Sequence, residues 1–311
     1  MTDRHRWSEG GRLWFALNWK GVPLNDVTLQ SGRRVSLPKP FLRWAGGKQK
    51  LASALAAFAP DRRLYGRYFE PFLGGGALFF RVRPERAIIA DINAELVNCY
   101  QRVKDDVKGV TRILRRYASQ DSPEFYYSVR KRSTTHMSAT GRAARFIYLN
   151  KTAFNGIYRV NTRGHFNVPY GPSSSGPAFP SAEVLRAASV CLQAATIRAA
   201  DFEALLEEAA EGDFVYLDPP YPPRSSTAYF AHYTPDRFCW PEQLRVAKVF
   251  RDLARRGCFV MLSNAAQKRV IELYRGFRVS RLKTVRWLGS NGDRFGVYEI
   301  VVTNYDPQEA H

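Results

Sequence analysis

Phe214-Val215-Tyr216-Leu217-Asp218-Pro219-Pro220-Tyr221 is the stretch that decides the fold. Four consecutive apolar residues read as a strand buried on both faces, and they run directly into a carboxylate and two prolines. Working upstream, Thr196-Ile197-Arg198 is a second strand, with a helix predicted over Phe202–Ala210. Ala87-Ile88-Ile89-Ala90 is a third, ending at Asp91 and followed by helical periodicity from Ala94 to Lys104. Tyr68-Phe69-Glu70-Pro71-Phe72 is a strand end, after which Gly74-Gly75-Gly76 opens a helix from Ala77; Gln49–Phe58 is helical before it. Downstream, Cys258-Phe259-Val260-Met261-Leu262 is another buried strand, and Phe277–Val285 with Gly296–Tyr305 reads as a long antiparallel pair. Strand–helix alternation of this kind implies an α/β, doubly wound, mostly parallel sheet, here with an antiparallel terminal strand. In such sheets ligands sit beyond the carboxyl ends of the strands, which is where Asp218 falls.

Two regions break the alternation. Residues 1–38 read as an N-terminal appendage: Val27-Thr28-Leu29 and Arg34-Val35-Ser36-Leu37 flank a Gly-containing turn as a short hairpin, and Pro38-Lys39-Pro40 is a stiff hinge. Residues 111–194 are more basic and more polar, helical at first and then turn-rich. In that block Arg142–Leu149 reads as a helix end, and Ile157–Val160 and His165–Val168 as two strands around Asn161-Thr162-Arg163-Gly164. The expected division is therefore an appendage at 1–38, a catalytic domain of 39–110 and 195–311, and an inserted domain at 111–194.

The chain has 311 residues, 45% of them hydrophobic, with 47 Lys plus Arg against 28 Asp plus Glu and a formal charge of +19. Such an imbalance suits a polyanionic partner, because neutralising phosphates releases counterions and steers association; an Arg-rich genome composition is the plainer alternative. No apolar run approaches the ~18–20 residues of a membrane span. The polar start, Met1–Gly10, lacks the apolar centre of a secretion signal, so a cytosolic protein is expected. Four scattered cysteines and five dispersed histidines suggest neither a disulfide framework nor a metal site.

Three blocks carry the chemistry. In Asp218-Pro219-Pro220-Tyr221 the residues before each proline are held extended, and neither proline has an N–H, so the segment presents acceptors. A carboxylate plus a fixed carbonyl can take both hydrogens of an aromatic amino group, freeing its lone pair for in-line attack on a methyl sulfonium. Tyr221 supplies a face on which an extruded base can stack; a Pro-rich turn closing a strand is the alternative. Glu70-Pro71-Phe72-Leu73-Gly74-Gly75-Gly76-Ala77 lets backbone approach a ligand closely, and Asp91, ending the next strand, is placed to bind ribose hydroxyls. In Phe41-Leu42-Arg43-Trp44-Ala45-Gly46-Gly47-Lys48 the aromatics could pack on a cofactor and Lys48 could meet its carboxylate; a buried Trp opening a helix fits the same residues.

In this order the three blocks resemble the Dam-type (D12 class) adenine-N6 DNA methyltransferases. The likeness continues through Ala90-Asp91-Ile92-Asn93, Leu149-Asn150-Lys151, Phe154-Asn155-Gly156-Ile157-Tyr158-Arg159 and Arg163-Gly164-His165-Phe166-Asn167-Val168-Pro169-Tyr170-Gly171. It resumes at Leu262-Ser263-Asn264 and Ser290-Asn291-Gly292, covering roughly residues 40 to 305. The resemblance implies a Rossmann-like S-adenosyl-L-methionine-dependent methyltransferase sheet, with the insertion as a helical and β-hairpin target-recognition domain. It implies a flipped adenine held by Asp218, Pro219, Pro220 and Tyr221. The donor, S-adenosyl-L-methionine, would lie across Phe41, Trp44, Ala45, Gly46, Lys48, Glu70, Phe72, Gly74, Asp91, Ile92 and Asp218, with Asp201 and Phe202 near its adenine. Double-stranded DNA would meet Arg43, Phe154, Asn155, Ile157, Arg159, Arg163, Pro169, Asn291 and Arg294. By position Phe154 would wedge into the stack while Asn155, Ile157 and Arg159 read bases; for Arg159 and Arg163, phosphate contact alone is the alternative.

Arg43 stands where the family carries lysine, at a position associated with the first guanine of GATC, which leaves the outer-base preference open. No Pro-Cys pair offers the thiolate that cytosine-C5 chemistry needs. A cytosine-N4 methyltransferase usually carries Ser at the Asp218 position, and an RNA or protein-glutamine methyltransferase Asn. A silent DNA-binding regulator on the same scaffold would not need Asp218 and Tyr221. The expectation is a monomeric bacterial or phage enzyme needing no metal or membrane, with a cognate restriction endonuclease as a further partner.

Overall fold

The computed structural model describes residues 26–28, 34–161, 164–171, 176–222, 238–287 and 294–310. Two compact units divide the chain, Met1–Leu37 and Pro38–His311. In the first, β1 (Asp26–Thr28) pairs antiparallel with β2 (Arg34–Ser36), Val27 opposite Val35. The turn expected between them lies outside the described residues.

The second unit is built on a seven-stranded sheet: β3 (Tyr68–Glu70), β4 (Ala87–Asp91), β5 (Ala195–Ala199), β6 (Phe214–Leu217), β7 (Phe259–Ala265), β8 (Arg278–Trp287) and β9 (Arg294–Thr303), in the spatial order β5-β4-β3-β6-β7-β9-β8. β3 pairs parallel with β4 and with β6, β4 with β5, and β6 with β7; β9 runs antiparallel to both β7 and β8. From β3 the chain steps outward to β4 and β5, then returns to lay β6 on the other side. The order thus reverses between β3 and β6, and that switch point is where a doubly wound sheet opens a crevice for a ligand. This is the expected Rossmann-like methyltransferase sheet with its antiparallel C-terminal strand.

Alternation along the strands separates two cores. Tyr68, Phe214 and Tyr216 face one layer with Phe79, Phe80, Tyr100 and Ile147; Phe69, Val215 and Leu217 face the other with Val246, Phe250 and Val260. Each fully buried large side chain in the two layers contributes about 1.5–3 kcal/mol. The first layer is covered by α1 (Ala52–Ala56), α2 (Ala77–Val82), α3 (Ala94–Asp105), α4 (Val107–Ala118), α5 (Pro123–Lys131), α6 (Ala139–Thr152) and α7 (Ala182–Leu192). The second is covered by α8 (Phe202–Leu206), α9 (Trp240–Arg255) and α10 (Lys268–Leu273). Asn93, Ser122, Ser138 and Ser181 cap α3, α5, α6 and α7 through their side-chain oxygens.

Several elements differ from their expectation. The helix expected over Gln49–Phe58 is regular only at Ala52–Ala56. Arg142–Leu149 is the middle of α6, which Ser138 starts early. The two strands expected at Ile157–Val160 and His165–Val168 are not strands. Isolated bridges join Val160 to Phe166 and Ala153 to Tyr170, with single bonds such as Asn167 N–H to the Arg159 carbonyl at 3.1 Å. Asn155 and Gly156, before the first expected strand, take positive φ of 53° and 63°, and Pro169, after the second, has no N–H to give, so pairing cannot extend at the outer ends.

Candidate active site

Leu217 ends β6 and delivers Asp218 to the switch point. Both carboxylate oxygens of Asp218 are engaged. The Lys48 ammonium spans them, 2.8 Å from Oδ1 and 2.9 Å from Oδ2. The Ser263 hydroxyl on β7 donates to Oδ1 at 2.7 Å, and Tyr216 on β6 meets Ser263 at 2.8 Å. Burial pushes the Asp218 pKa up, and Lys48 and Ser263 hold it back by favouring the ionised form. Lys48 also donates to the Gly46 carbonyl at 2.8 Å and stands 4.6 Å from the centre of the Tyr221 ring. Tyr221 in turn donates to Glu299 on β9 at 2.8 Å. The Pro220 carbonyl accepts from Gln243 at 2.7 Å, and Asn264 steadies Gln243 at 3.0 Å. The Asp-Pro-Pro-Tyr segment is therefore braced from the loop before α1, from α9, and from β7 and β9.

Beside it, between β3 and β4, the glycine loop shapes the neighbouring wall. Gly74 sits at φ 45°, and a Cβ there would fall 2.6 Å from the Trp44 ring. Glycine is thus required twice, for the left-handed backbone and for the close approach. The Gly74 and Asn93 amides donate to Asp91 at 3.0 and 2.9 Å. Burial outweighs these bonds and raises the Asp91 pKa to about 6. Glu70 is buried more deeply, with the Tyr68 hydroxyl donating to it at 2.8 Å, and its pKa is pushed up to about 8 by desolvation.

These walls enclose a cavity of about 510 Å³. Of the residues expected to bind a donor, Trp44, Ala45, Gly46, Lys48, Glu70, Phe72, Gly74, Asp91, Ile92, Asp201, Phe202 and Asp218 line it, with Pro219, Pro220 and Tyr221 at the same cavity. Phe41 does not. It is buried edge-on against Phe80 and Tyr100 and holds the loop from below. At the far end Phe72 packs 5.1 Å from Phe202 and 5.8 Å from Phe238. Arg245 covers the Phe202 ring at 4.7 Å and pairs with Asp201, Glu203 and Glu242.

Sequence reasoning gave no site role to Arg245, Glu242, Phe238 and Tyr216, which line this wall, nor to Glu299 and Ser263 behind Asp218 and Tyr221; Ser263 entered only within the Leu262-Ser263-Asn264 likeness. Ser263 left a signal, a polar residue closing an otherwise apolar buried strand. Arg245 left none, because α9 is an ordinary amphipathic helix until folded.

The residues expected to meet DNA cluster around the end of α6. Phe154 is half exposed and Asn155 and Pro169 are exposed; Ile157 and Arg159 are partly covered. Arg159 donates through Nε to Asn167 at 2.8 Å. The Asn150 side chain, fully buried, accepts from the Arg43 amide at 2.8 Å and donates to the Arg43 carbonyl at 2.6 Å, while the Arg43 side chain lies over Gly156. Trp44 stacks on Tyr158 at 5.7 Å. The cavity loop and the segment after α6 are thus tied at adjacent residues. Lys151 is also buried there, and desolvation lowers its pKa to about 8. Arg163 and Asn291 lie outside the described residues; Arg294 opens β9, and its side chain lies outside them too. Among the described residues no group of three His, Cys, Asp or Glu could hold a metal ion, and no helix is long and apolar enough to cross a membrane.

Comparison with known proteins returns the same family that the motifs resemble. The profile described as D12 class N6 adenine-specific DNA methyltransferase matches residues 44–288. The chain is 39% identical over 274 residues to the type II methyltransferase M1.LlaDCHI of Lactococcus lactis subsp. cremoris, covering 86% of this chain and 95% of that protein. It is 38% identical over 287 residues to the type II methyltransferase M.MjaIII of Methanocaldococcus jannaschii, covering 86% and 99%. It is 34% identical over 257 residues to a DNA adenine methylase of Vibrio cholerae, covering 82% and 91%. With the sheet order, the braced Asp-Pro-Pro-Tyr segment and these matches in agreement, the chain belongs to the D12 class N6 adenine-specific DNA methyltransferase family.

Proposed function

We propose that the chain transfers a methyl group from S-adenosyl-L-methionine to N6 of an adenine swung out of duplex DNA, in GATC or a related site. The observation that carries this reading is the placement of Asp218, held by Lys48 and Ser263, in the wall of the same cavity that Gly74, Asp91 and Phe202 line. The donor set fits the cofactor. Asp91 offers a carboxylate for ribose hydroxyls, Phe72 and Phe202 offer apolar faces for an adenine ring, and the volume suits a ligand of that size. When bound, the sulfonium supplies an electrophilic methyl, so that one N–C bond forms as one S–C bond breaks.

The chain's own residues do the rest. Asp218 and the carbonyl of the following proline accept the two N6 hydrogens, which draws the lone pair out of conjugation, and the carboxylate then receives the departing proton. Lys48 keeps Asp218 ionised until the amine arrives. Tyr221, oriented by Glu299, gives the extruded base a face to stack on. The surrounding wall excludes water and strengthens each of these bonds. No covalent enzyme intermediate is involved.

Residues 111–194 act in this reading as the target-recognition domain. Phe154 wedges into the base stack, Asn155, Ile157 and Arg159 read base edges with Pro169 nearby, and Arg43, Arg163, Asn291 and Arg294 add contacts. The formal charge of +19 supplies the sequence-independent attraction to phosphates. Two relatives are named type II methyltransferases, which supports a cognate restriction endonuclease as partner. The enzyme acts as a monomer, and the appendage at 1–38 takes no part in the chemistry.

The test is labelled-methyl transfer to duplex DNA, followed by digestion. N6-methyladenine is expected, and N4-methylcytosine would overturn the reading. Asp218→Ala should cost on the order of 100- to 1000-fold in turnover, the scale seen when one charge-stabilising group leaves an active site, while donor binding persists. Unchanged turnover would remove Asp218 from its role.

A further inference from the structure

The Ser263 contact that holds Asp218 is one link of a hydrogen-bond chain that continues into the sheet. Ser263 is fully buried, and its single O–H is committed to Asp218 Oδ1 at 2.7 Å. A serine hydroxyl has one proton to give, so the 2.8 Å contact with Tyr216 must run the other way, the Tyr216 hydroxyl donating to the Ser263 oxygen. Tyr216 is itself buried, and burial raises its pKa well above the ordinary value, so its proton stays in place. The result is a directional relay, Tyr216 O–H to Ser263 O–H to Asp218 Oδ1. It is built on adjacent parallel strands whose register is fixed by Tyr216 opposite Met261 and Leu217 opposite Leu262.

We propose that Ser263 and Tyr216 are positioning residues for methyl transfer: the relay pins Oδ1 of the Asp218 carboxylate to the sheet, so that Oδ2, which takes Lys48 on one side, presents its second lone pair to the acceptor amine in a fixed direction. The proposal rests on the reading of Asp218 as acceptor of the N6 hydrogens. Lys48 alone cannot supply this direction, because its ammonium lies at nearly equal distance from both oxygens. A carboxylate tethered only by Lys48 could exchange its two oxygens by a half-turn about its last torsion and recover the same ion pair, whereas the relay makes the two oxygens inequivalent. The same relay favours the ionised form. Around Asp218 the groups that set its titration are Lys48 from the loop before α1, Ser263 on β7 and Glu299 on β9; Glu70 on β3, Tyr216 on β6 and Tyr221 beyond it also share its surroundings. Lys48 and Ser263 pull the pKa down, while burial and Glu299 push it up. Removing Ser263 therefore moves the pKa upward.

The experiment uses the full chain, duplex DNA and single-turnover methyl transfer across a pH series, with donor affinity and Tm measured in parallel. In Ser263→Ala the rate should fall on the order of tenfold or more, the scale of one lost hydrogen bond to a charged group. The acid limb of its pH profile should move to higher pH, with donor and DNA affinities unchanged. Tyr216→Phe keeps the ring and loses only the distal bond, so a smaller fall of about threefold to tenfold is expected, with the limb displaced in the same direction. A purely structural hydroxyl would lower Tm and leave the acid limb in place, and that result overturns the proposal, as does Ser263→Ala with the parent's rate and profile. Failure of the underlying reading looks different: Asp218→Ala would then turn over normally.

Discussion

Around the ends of β3, β4 and β6 each functional group is held by a second group, whereas the described residues between Ala153 and Gly171 pair through isolated bridges and leave Phe154 half exposed. Asp218, Asp91, Glu70 and Tyr221 each have a protein partner within 3.0 Å. The contrast follows the demands on each region. Transfer chemistry rewards groups that need no reorganisation when charge develops, and the cavity's groups are already paired. The surface proposed to read bases would have to follow a deformable duplex, a demand that isolated bridges and positive-φ residues meet better than a continuous ladder. The two regions meet at one place, where Asn150 grips Arg43 from both sides and Trp44 stacks on Tyr158.

The rigid side should break most sharply at its tightest point. Gly74→Ala forces a Cβ onto a backbone at φ 45° and to within 2.6 Å of the Trp44 ring. Left-handed strain of about 1–2 kcal/mol adds to overpacking of about 1–3 kcal/mol. Trp44 lines the cavity and also braces Tyr158, so it has little room to retreat. Donor affinity should fall roughly 30-fold or more on that scale, with the adenine product unchanged. Isothermal titration with the donor measures it, and wild-type affinity in a folded Gly74→Ala protein would show that the cavity is as adaptable as the recognition side.

The open side should break differently. Arg159 is braced through Nε by Asn167, a geometry that presents the rest of the guanidinium as a fork. Arg159→Ala should cost about 1–3 kcal/mol of discrimination between cognate and single-base-changed duplexes, with a smaller loss on unrelated DNA. Competition binding at fixed salt separates the two. An equal loss on every sequence would make Arg159 a phosphate contact and erase the distinction between a reading surface and a merely basic one.

The contrast also explains what could be read before folding. Asp218, Gly74 and Asp91 sit at strand ends, and a strand end is marked locally by apolar runs that stop at a carboxylate or a glycine. Their partners come from distant strands and helices, Ser263 from β7, Glu299 from β9 and Arg245 from α9, and no local pattern ties them to Asp218, Tyr221 or Asp201. The two strands expected around Asn161-Gly164 failed for a related reason. Asn155 and Gly156 before the first and Pro169 after the second deny them extension at their outer ends, and whether a ladder forms between them depends on pairing that sequence does not display. Phe41 was drawn toward the cavity by its neighbour Trp44, yet packing against Phe80 and Tyr100 claimed it.

The two regions also differ in how they respond to pH. Glu70, pushed up to about 8 by burial, is protonated in the native chain at neutral pH and ionised in the unfolded one. Between its ordinary value of about 4.3 and 8 the folded state therefore binds more protons, and stability falls as pH rises through that window. Lys151, lowered to about 8 at the end of α6, has the opposite sign in a different window: above 8 the unfolded chain binds more protons, and stability rises toward the ordinary lysine value. Glu70→Gln removes the first term and leaves the second. Its Tm should then depend less on pH than the parent's between 6 and 8, with the two proteins closest at the acid end, where Glu70 is protonated in both states. Asp91, raised to about 6, contributes the same sign mainly below that window, so the difference between the two curves isolates Glu70. Parallel Tm curves for parent and variant would mean that Glu70 is ionised in the native cavity as it is in the unfolded chain.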